Sequence, residues 1–160
     1  ISPQDMRDVI ATLAPDSGSV GVVANAVETT IATTATWTLA DLGAPSLKTG
    51  AVNFDNPSAG RLRYVGATTR TVSLSASISL ISAANNKEFA FGLALNGTVL
   101  AETETLRKAG TGADVGALAV FAVEAGVTNG DYFEIYVRND TDDTNTTIET
   151  CNITALGLPE

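Results

Sequence analysis

Carboxylates are the main chemistry open to this chain. Its 160 residues include 18 acidic and 9 basic side chains and no histidine, so the commonest neutral-pH general base and neutral metal ligand are both missing. Two acidic sets stand out. Glu102 and Glu104 are two apart, which on a strand places them side by side on one face about 6–7 Å apart, with no opposing acid to hold a glycoside between them. Asp140, Asp142, Asp143 and Asn145 crowd one segment with the hard oxygen ligands that calcium takes, but without the spacing or terminal Glu of an EF-hand. That segment reads equally well as an acidic hairpin loop. Cys151 is the sole cysteine; it has no disulfide partner and no neighbouring cation to favour a thiolate, and is expected as a small buried residue. The nucleophile-elbow, zinc-protease and P-loop motifs are absent from the sequence. The expectation is a protein without catalytic residues, metal or cofactor, and not an enzyme.

Binding is the other chemistry on offer. Tyr132 and Tyr136 alternate with Phe133, Ile135 and Val137, so if the latter face a core, the tyrosines point away beside Glu134 and Arg138. Tyr offers rigid apolar area plus a hydroxyl, which suits an interface anchor; the same residues could equally cover a second sheet or a loop. Partners are bounded by charge. A net charge of -9 repels nucleic-acid backbones, and without an apolar run of 18 residues no membrane partner is expected either.

The elements that must position these residues are strands. In residues 71–80, Val72, Leu74, Ala76, Ile78 and Leu80 alternate with Thr71, Ser73, Ser75, Ser77 and Ser79, a period of two with one apolar and one polar face. Phe89, Phe91, Leu93 and Leu95 continue the pattern opposite Ala90, Gly92 and Ala94, and Asn96-Gly97 then marks a tight hairpin. Residues 27–39, rich in Thr and holding the single Trp37, suit an outer or edge strand. Residues 98–106 read as a strand and 107–114 as a loop. Residues 116–124 are apolar on both faces, with Phe121 on one of them, so this strand is either central or covered by another chain. Tyr132 to Asn139 and residues 148–158 complete the set, with Cys151, Ile153 and Ala155 facing inward. Eight to ten short strands with regular turn signals and no crossover helices argue for an all-β sandwich or barrel.

Residues 1–13 differ from the rest. Met6, Val9, Ile10 and Leu13 form one stripe at helical spacing, Ser2 can cap the first turn, and Pro3 and Asp5 suit the positions after it. A helix this short needs a surface to lie on. Either it packs on its own domain or it is an arm that docks on a neighbour. The expected division is an arm over residues 1–19 and a β domain over 20–160, with residues 15–18 as the turn between them.

The run GRLRYVGATTRTVSLSASISL, the segment KEFAFGLALNG, and TNGDYFEIYVRND with a closing strand ending in TALGLP resemble the jelly-roll domains of tumour-necrosis-factor/C1q type found in tailed-phage structural proteins. The matching positions are Tyr64, Gly66, Arg70 and Val72, then Phe89 to Gly97, then Gly130-Asp131 with Tyr132 to Val137. The resemblance spans residues 37–158. It implies a jelly-roll sandwich of two antiparallel sheets that assembles as a homotrimer, with Phe121, Tyr132 and Tyr136 as interface candidates. It further implies a virion structural role: a capsid decoration (cement) protein that binds the major capsid protein and stabilises the outer surface of a phage head, with Met6, Val9, Ile10 and Leu13 as a capsid-anchoring arm. The alternative is a receptor- or glycan-binding tip of a fibre or spike.

Overall fold

The computed structural model describes residues 2–6, 15–111 and 115–158. In chain order the strands are β1 (Ser17–Val22), β2 (Glu28–Thr29), β3 (Thr38–Leu39), β4 (Ser46–Leu47), β5 (Phe54–Asp55), β6 (Leu62–Tyr64), β7 (Arg70–Ser82), β8 (Lys87–Leu95), β9 (Thr98–Val99), β10 (Thr105–Ala109), β11 (Gly116–Val127), β12 (Tyr132–Asn139) and β13 (Thr146–Leu158). They form two sheets with antiparallel pairing throughout. A six-stranded sheet runs β11-β7-β13-β1-β4 with β2 beside β13, and a seven-stranded sheet runs β10-β8-β12-β6-β5 with β3 beside β12 and β9 beside β8. This is the expected jelly-roll sandwich.

Alternation places the core. Val72, Leu74, Ala76, Ile78 and Leu80 of β7 point inward, as do Cys151, Ile153 and Ala155 of β13, and all are buried. Phe89, Phe91 and Leu93 of β8 with Phe133, Ile135 and Val137 of β12 meet them from the other sheet. Facing sheets interdigitate such alternate residues about 10 Å apart, which is why each strand is apolar at every second position. β8 ends at a two-residue turn in which Asn96 (φ 51°) and Gly97 (φ 79°) both take left-handed conformations, matching the twist of the flanking strands.

Several segments depart from the sequence expectation. Ser17 and Gly18 are not a turn: they begin β1, which pairs with β13 along its whole length, from Ser17 against Leu156 to Val22 against Cys151. A Cβ on Gly18 would lie 2.4 Å from the Phe54 Cβ, so the small residues that suggest a turn are there because the second sheet passes close. The Thr-rich segment contributes only the two-residue β2 and β3. Residues 98–106 are not one strand either: β9 stops at Val99, a 3-10 turn spans Ala101–Thr103, and β10 begins at Thr105 and takes in Arg107 to Ala109 of the expected loop. Thr103 is buried there, its hydroxyl accepting from the Leu93 N–H at 2.9 Å and donating to the Leu100 carbonyl at 2.7 Å, which locks the turn onto β8. Finally, β11 is not central. It forms the edge of the six-stranded sheet and carries Phe121 and Val123 exposed.

The two sheets are fastened where the arm meets the domain. The buried Asp16 carboxylate accepts from Asn53 Nδ2 at 2.6 Å and from Arg70 Nε and the Tyr64 hydroxyl at 2.9 Å each, joining the start of β1 to β6 and β7. Burial pushes the Asp16 carboxyl up, but the three donors and the Arg70 charge outweigh it and hold it below the usual range. In the arm, Ser2 Oγ accepts from the Asp5 N–H at 3.1 Å while the Asp5 carboxylate accepts from the Ser2 N–H at 2.7 Å, the reciprocal cap foreseen from their spacing. Met6 is 56% exposed. Val9, Ile10 and Leu13 lie outside the described residues.

Candidate functional site

Each sheet turns one face outward, and the two outer faces differ in kind. On the six-stranded sheet the rows are read across β11, β7, β13 and β1: Val123, Ser73, Leu156 and Ser17; Phe121, Ser75, Thr154 and Ser19; Ala119, Ser77, Asn152 and Gly21. None of these twelve residues is ionisable. Three of its polar side chains bond to one another, Ser19 Oγ to Asn152 Oδ1 at 2.7 Å and Asn152 Nδ2 to Thr154 Oγ1 at 3.1 Å. Gly21 makes this possible, since a Cβ there would come within 3.1 Å of Asn152 Oδ1. The apolar residues are large and exposed: Phe121 is 69%, Val123 63%, Leu156 47% and Leu158 38% accessible. A surface whose central rows carry no charge and whose polar groups partly satisfy one another costs less to remove from water, which is how the centre of a protein interface is composed. At the opposite edge from Phe121, a hollow of ≈ 160 Å³ opens beside Ser17, Ser19, Lys48 and Leu156.

The seven-stranded sheet presents β12, whose outward residues are Tyr132, Glu134, Tyr136 and Arg138, as their alternation requires. The Arg61 guanidinium lies 3.7 Å from the Tyr132 ring centroid and its Nε meets the buried Glu134 carboxylate at 2.9 Å. Arg138 lies 4.6 Å from the Trp37 ring centroid, makes a two-pronged pair with Glu104 (2.6 and 3.2 Å) and holds Asp140 at 2.7 Å. Hydrogen bonds from Arg138 to Asp140 and Glu104 raise its already high pKa against the opposing effect of burial, so the guanidinium stays charged over the indole. On the neighbouring β8, the outward Ala90, Gly92 and Ala94 form a floor. A Cβ on Gly92 would lie 2.7 Å from Val99 Cγ1 and 3.5 Å from Trp37; the indole and Val99 occupy the space a side chain would need. The result is a cleft of ≈ 430 Å³ lined by Trp37, Gly97, Thr98, Val99, Ala101, Glu104 and Tyr136.

The interface candidates Phe121, Tyr132 and Tyr136 are therefore not brought together. Phe121 is on β11 of one sheet and the tyrosines on β12 of the other, facing opposite sides of the sandwich, so no single flat contact buries all three. Strand periodicity tells inward from outward but not which sheet a strand joins. The acidic candidates are dispersed in the same way. Glu104 is bound to Arg138, while Glu102 in the 3-10 turn approaches Glu124 of β11, whose carboxyl is pushed up by burial and by Glu102. In the acidic loop, Asp142 pairs with Lys87 and receives the Thr144 N–H, which hold it down at about 2. Asp140 pairs with Arg138, and Asn145 Oδ1 accepts from the Ile31 N–H at 2.9 Å. The oxygens of Asp140, Asp142 and Asn145 are thus turned toward the chain's own cations and amides while Asp143 is exposed, and the described residues hold no group of three or more potential metal-ligating side chains. Cys151 is buried and its thiol is pushed up to about 12 by burial, as the reading of an inert residue requires.

The Trp37 cleft escaped the sequence because its parts are remote. Trp37, Glu104 and Tyr136 meet only through the register that sets Tyr136 against Leu39 and Gly92. One signal was present: three small outward residues in a row on β8 mean that something lies across them.

No protein-family model matches the chain, and no curated protein does. Solved structures do. The PRD1 vertex protein P5 superposes with a TM-score of 0.54 at 14% identity, over 89% of this chain and 73% of that one. Murine APRIL matches at 0.53 with 12% identity, over 89% and 99%. Eiger, a TNF from S. frugiperda, matches at 0.50 with 12% identity, over 91% and 94%. The fold is a jelly roll of the tumour-necrosis-factor type.

Proposed function

We infer that the chain is a virion structural protein that assembles as a homotrimer and decorates the outer surface of a capsid, with the major capsid protein as its partner. The observation that carries this reading is the three uncharged rows on the outer face of the six-stranded sheet, with Phe121 at one edge and the hollow beside Lys48 and Leu156 at the other. A projection and a recess at opposite edges of one face fit a head-to-tail contact, and such contacts close into rings when the rotation allows. Apolar area of this kind, left in water, marks an association surface. The likeness in fold to the PRD1 vertex protein P5 supports a place on a virus particle, and the tumour-necrosis-factor-type resemblance supports three copies. Tyr132 and Tyr136 lie on the far side of the sandwich from this face.

Sedimentation of the intact chain tests the assembly. A trimer is expected at micromolar concentration, and Phe121→Asp, which puts a carboxylate in each of three contacts, should return a folded monomer. A wild-type monomer throughout that range would overturn the reading. Seating on the particle is assigned to Met6, Val9, Ile10 and Leu13, whose stripe is too short to hold a helix alone. A chain lacking residues 1–13 should still be a trimer but should co-sediment poorly with stripped capsids; undiminished occupancy would remove the arm as the anchor. A recognition tip is the second reading, and the cleft at Trp37 is what favours it.

A further inference from the structure

We propose that the cleft over Gly92, walled by Trp37, Tyr136 and Glu104, binds a neutral saccharide, with a pyranose ring against the aromatic wall and its hydroxyls bonded to Glu104 and the Tyr136 hydroxyl. The proposal goes beyond the decoration reading and does not depend on the trimer, because the cleft is built within one chain on the face turned away from Phe121.

The class of ligand follows from charge. An aromatic wall attracts cations, but the position over the Trp37 ring is already filled by the Arg138 guanidinium 4.6 Å from its centroid, and the nearby carboxylates of Glu104 and Asp140 are already paired with that same cation. An anion meets two carboxylates, Glu104 and Asp140, against one guanidinium, on a chain of net charge -9. A neutral molecule with an apolar face and a polar edge escapes both penalties. A pyranose is such a molecule, with C–H groups on its faces and hydroxyls around its rim. The cleft, at ≈ 430 Å³, falls within the roughly 300–1,000 Å³ range of small-molecule sites.

The site is also set before anything binds. The Arg138 guanidinium lies over one face of the Trp37 ring, the rim of the ring lies beside the bare backbone of Gly92, and Arg138 is held in turn by Glu104 and Asp140. Little rotamer freedom is left to lose at that wall, which is what separates a binding site from a chance hollow of equal size. The polar edge is supplied where Gly97 keeps the rim free of a side chain. A Cβ there would sit 3.6 Å from the Tyr136 hydroxyl and 3.7 Å from that of Tyr132. Among the described residues neither hydroxyl has a hydrogen-bond partner, so both can bond a sugar, while Glu104 oxygens accept from sugar O–H groups.

Trp37 is the only tryptophan, so its fluorescence reports on the cleft alone. The intact chain is titrated with the methyl pyranosides of glucose, galactose, mannose and N-acetylglucosamine and with their 1,4-linked disaccharides. Choline serves as the cationic probe and N-acetylneuraminic acid as the anionic one. At least one neutral sugar should give a saturable change, Tyr136→Ala should weaken it tenfold or more, and Ala101→Tyr, an exposed substitution that fills the cleft without touching its contacts, should abolish it. Circular dichroism and sedimentation of each variant confirm that fold and assembly are kept. The proposal is overturned if no neutral sugar saturates the signal up to about 100 mM, two decades weaker than millimolar binding. It is equally overturned if choline or N-acetylneuraminic acid alone does so, or if both variants bind as the parent does. None of these outcomes bears on the oligomeric state, which sedimentation reads separately.

Discussion

The outer faces of the two sheets reach low solvent cost by opposite routes. On the six-stranded sheet Ser19, Asn152 and Thr154 satisfy one another without any charge and leave a flat surface with Phe121 and Val123 at its edge. On the seven-stranded sheet Arg61 and Arg138 each cover an aromatic ring and pair with carboxylates, leaving a relief with a cleft in it. Flatness without charge favours a large contact with another protein, whereas relief with fixed aromatics favours a small ligand. One fold thus presents two kinds of surface back to back, and alternation along each strand keeps them separate from the shared core.

The largest expected effect comes from unfastening the two sheets. Asp16→Ala leaves Arg70 and Tyr64 without their buried carboxylate and should cost about 3–5 kcal/mol, the usual loss when one partner of a buried pair is removed, read as a shift in the denaturant midpoint. The same contact sets a pH dependence. Asp16, Asp131 and Asp142 all lie below their ordinary values in the fold, so the unfolded chain binds more protons in the acid range and stability rises with pH there. It should be fully present above about pH 5 and fall as the pH drops from about 4 toward 2. In Asp16→Asn this acid sensitivity should shrink, which thermal melts at pH 3 and pH 7 would measure.

Next in size is the contrast across a single strand. Leu74→Ala or Ile78→Ala should cost about 2–5 kcal/mol through lost transfer energy and the cavity left behind. Ser75→Ala and Ser77→Ala, on the other face of the same strand, should each shift stability by less than about 1 kcal/mol in dissociated chains. Equal losses at both kinds of site would erase the distinction between core and outer face.

Smaller still is the ion pairing over the cleft. Glu104→Gln removes one partner of a half-exposed pair and should cost no more than about 1 kcal/mol, yet it should alter Trp37 emission because Arg138 loses one of the two carboxylates that steady it. Unchanged emission would show that Asp140 suffices. The smallest expected effect is none: Cys151, buried with its thiol near 12, should resist alkylation in the native chain and react only on unfolding, which thiol labelling with and without denaturant would follow. Exhaustive chelation should likewise leave the melting temperature unchanged, since Lys87 and Arg138 already hold two carboxylates of the acidic loop, Asp142 and Asp140.

How far the sequence could be read depended on whether a feature is local. β7 and β12 were legible residue by residue because alternation is a property of consecutive side chains, and the Asn96-Gly97 turn because its left-handed backbone selects its residues. β13 was legible at its inward Cys151, Ile153 and Ala155 but not at the irregularity between Ile148 and Thr150, where the register slips by one and lets Ile148 and Cys151 both face the core. The 3-10 turn at Ala101–Thr103 rests on Thr103 reaching Leu93, a contact that no spacing encodes. Whether β11 is an edge or a centre, and whether Phe121 shares a side with Tyr136, depend on strand order, which hydrophobic periodicity does not carry. The Trp37 cleft required that order and two registers at once.

The strand order also governs how the fold can be reached. β13, which follows every other strand in the chain, lies in the middle of its sheet between β7 and β1. Until it leaves the ribosome, β1 lacks its full-length neighbour and β7 has only β11, so the six-stranded sheet is two fragments separated by a vacant central lane. One edge of β7 then has no partner during synthesis. Closure must await β13 and must bring together segments more than a hundred residues apart, a slow search with unpaired strand edges open to strangers. A nascent chain of this kind would need a chaperone more than its size suggests. Once β13 is in place it fastens the first strand to the later ones, and unfolding should begin only when that central strand lets go.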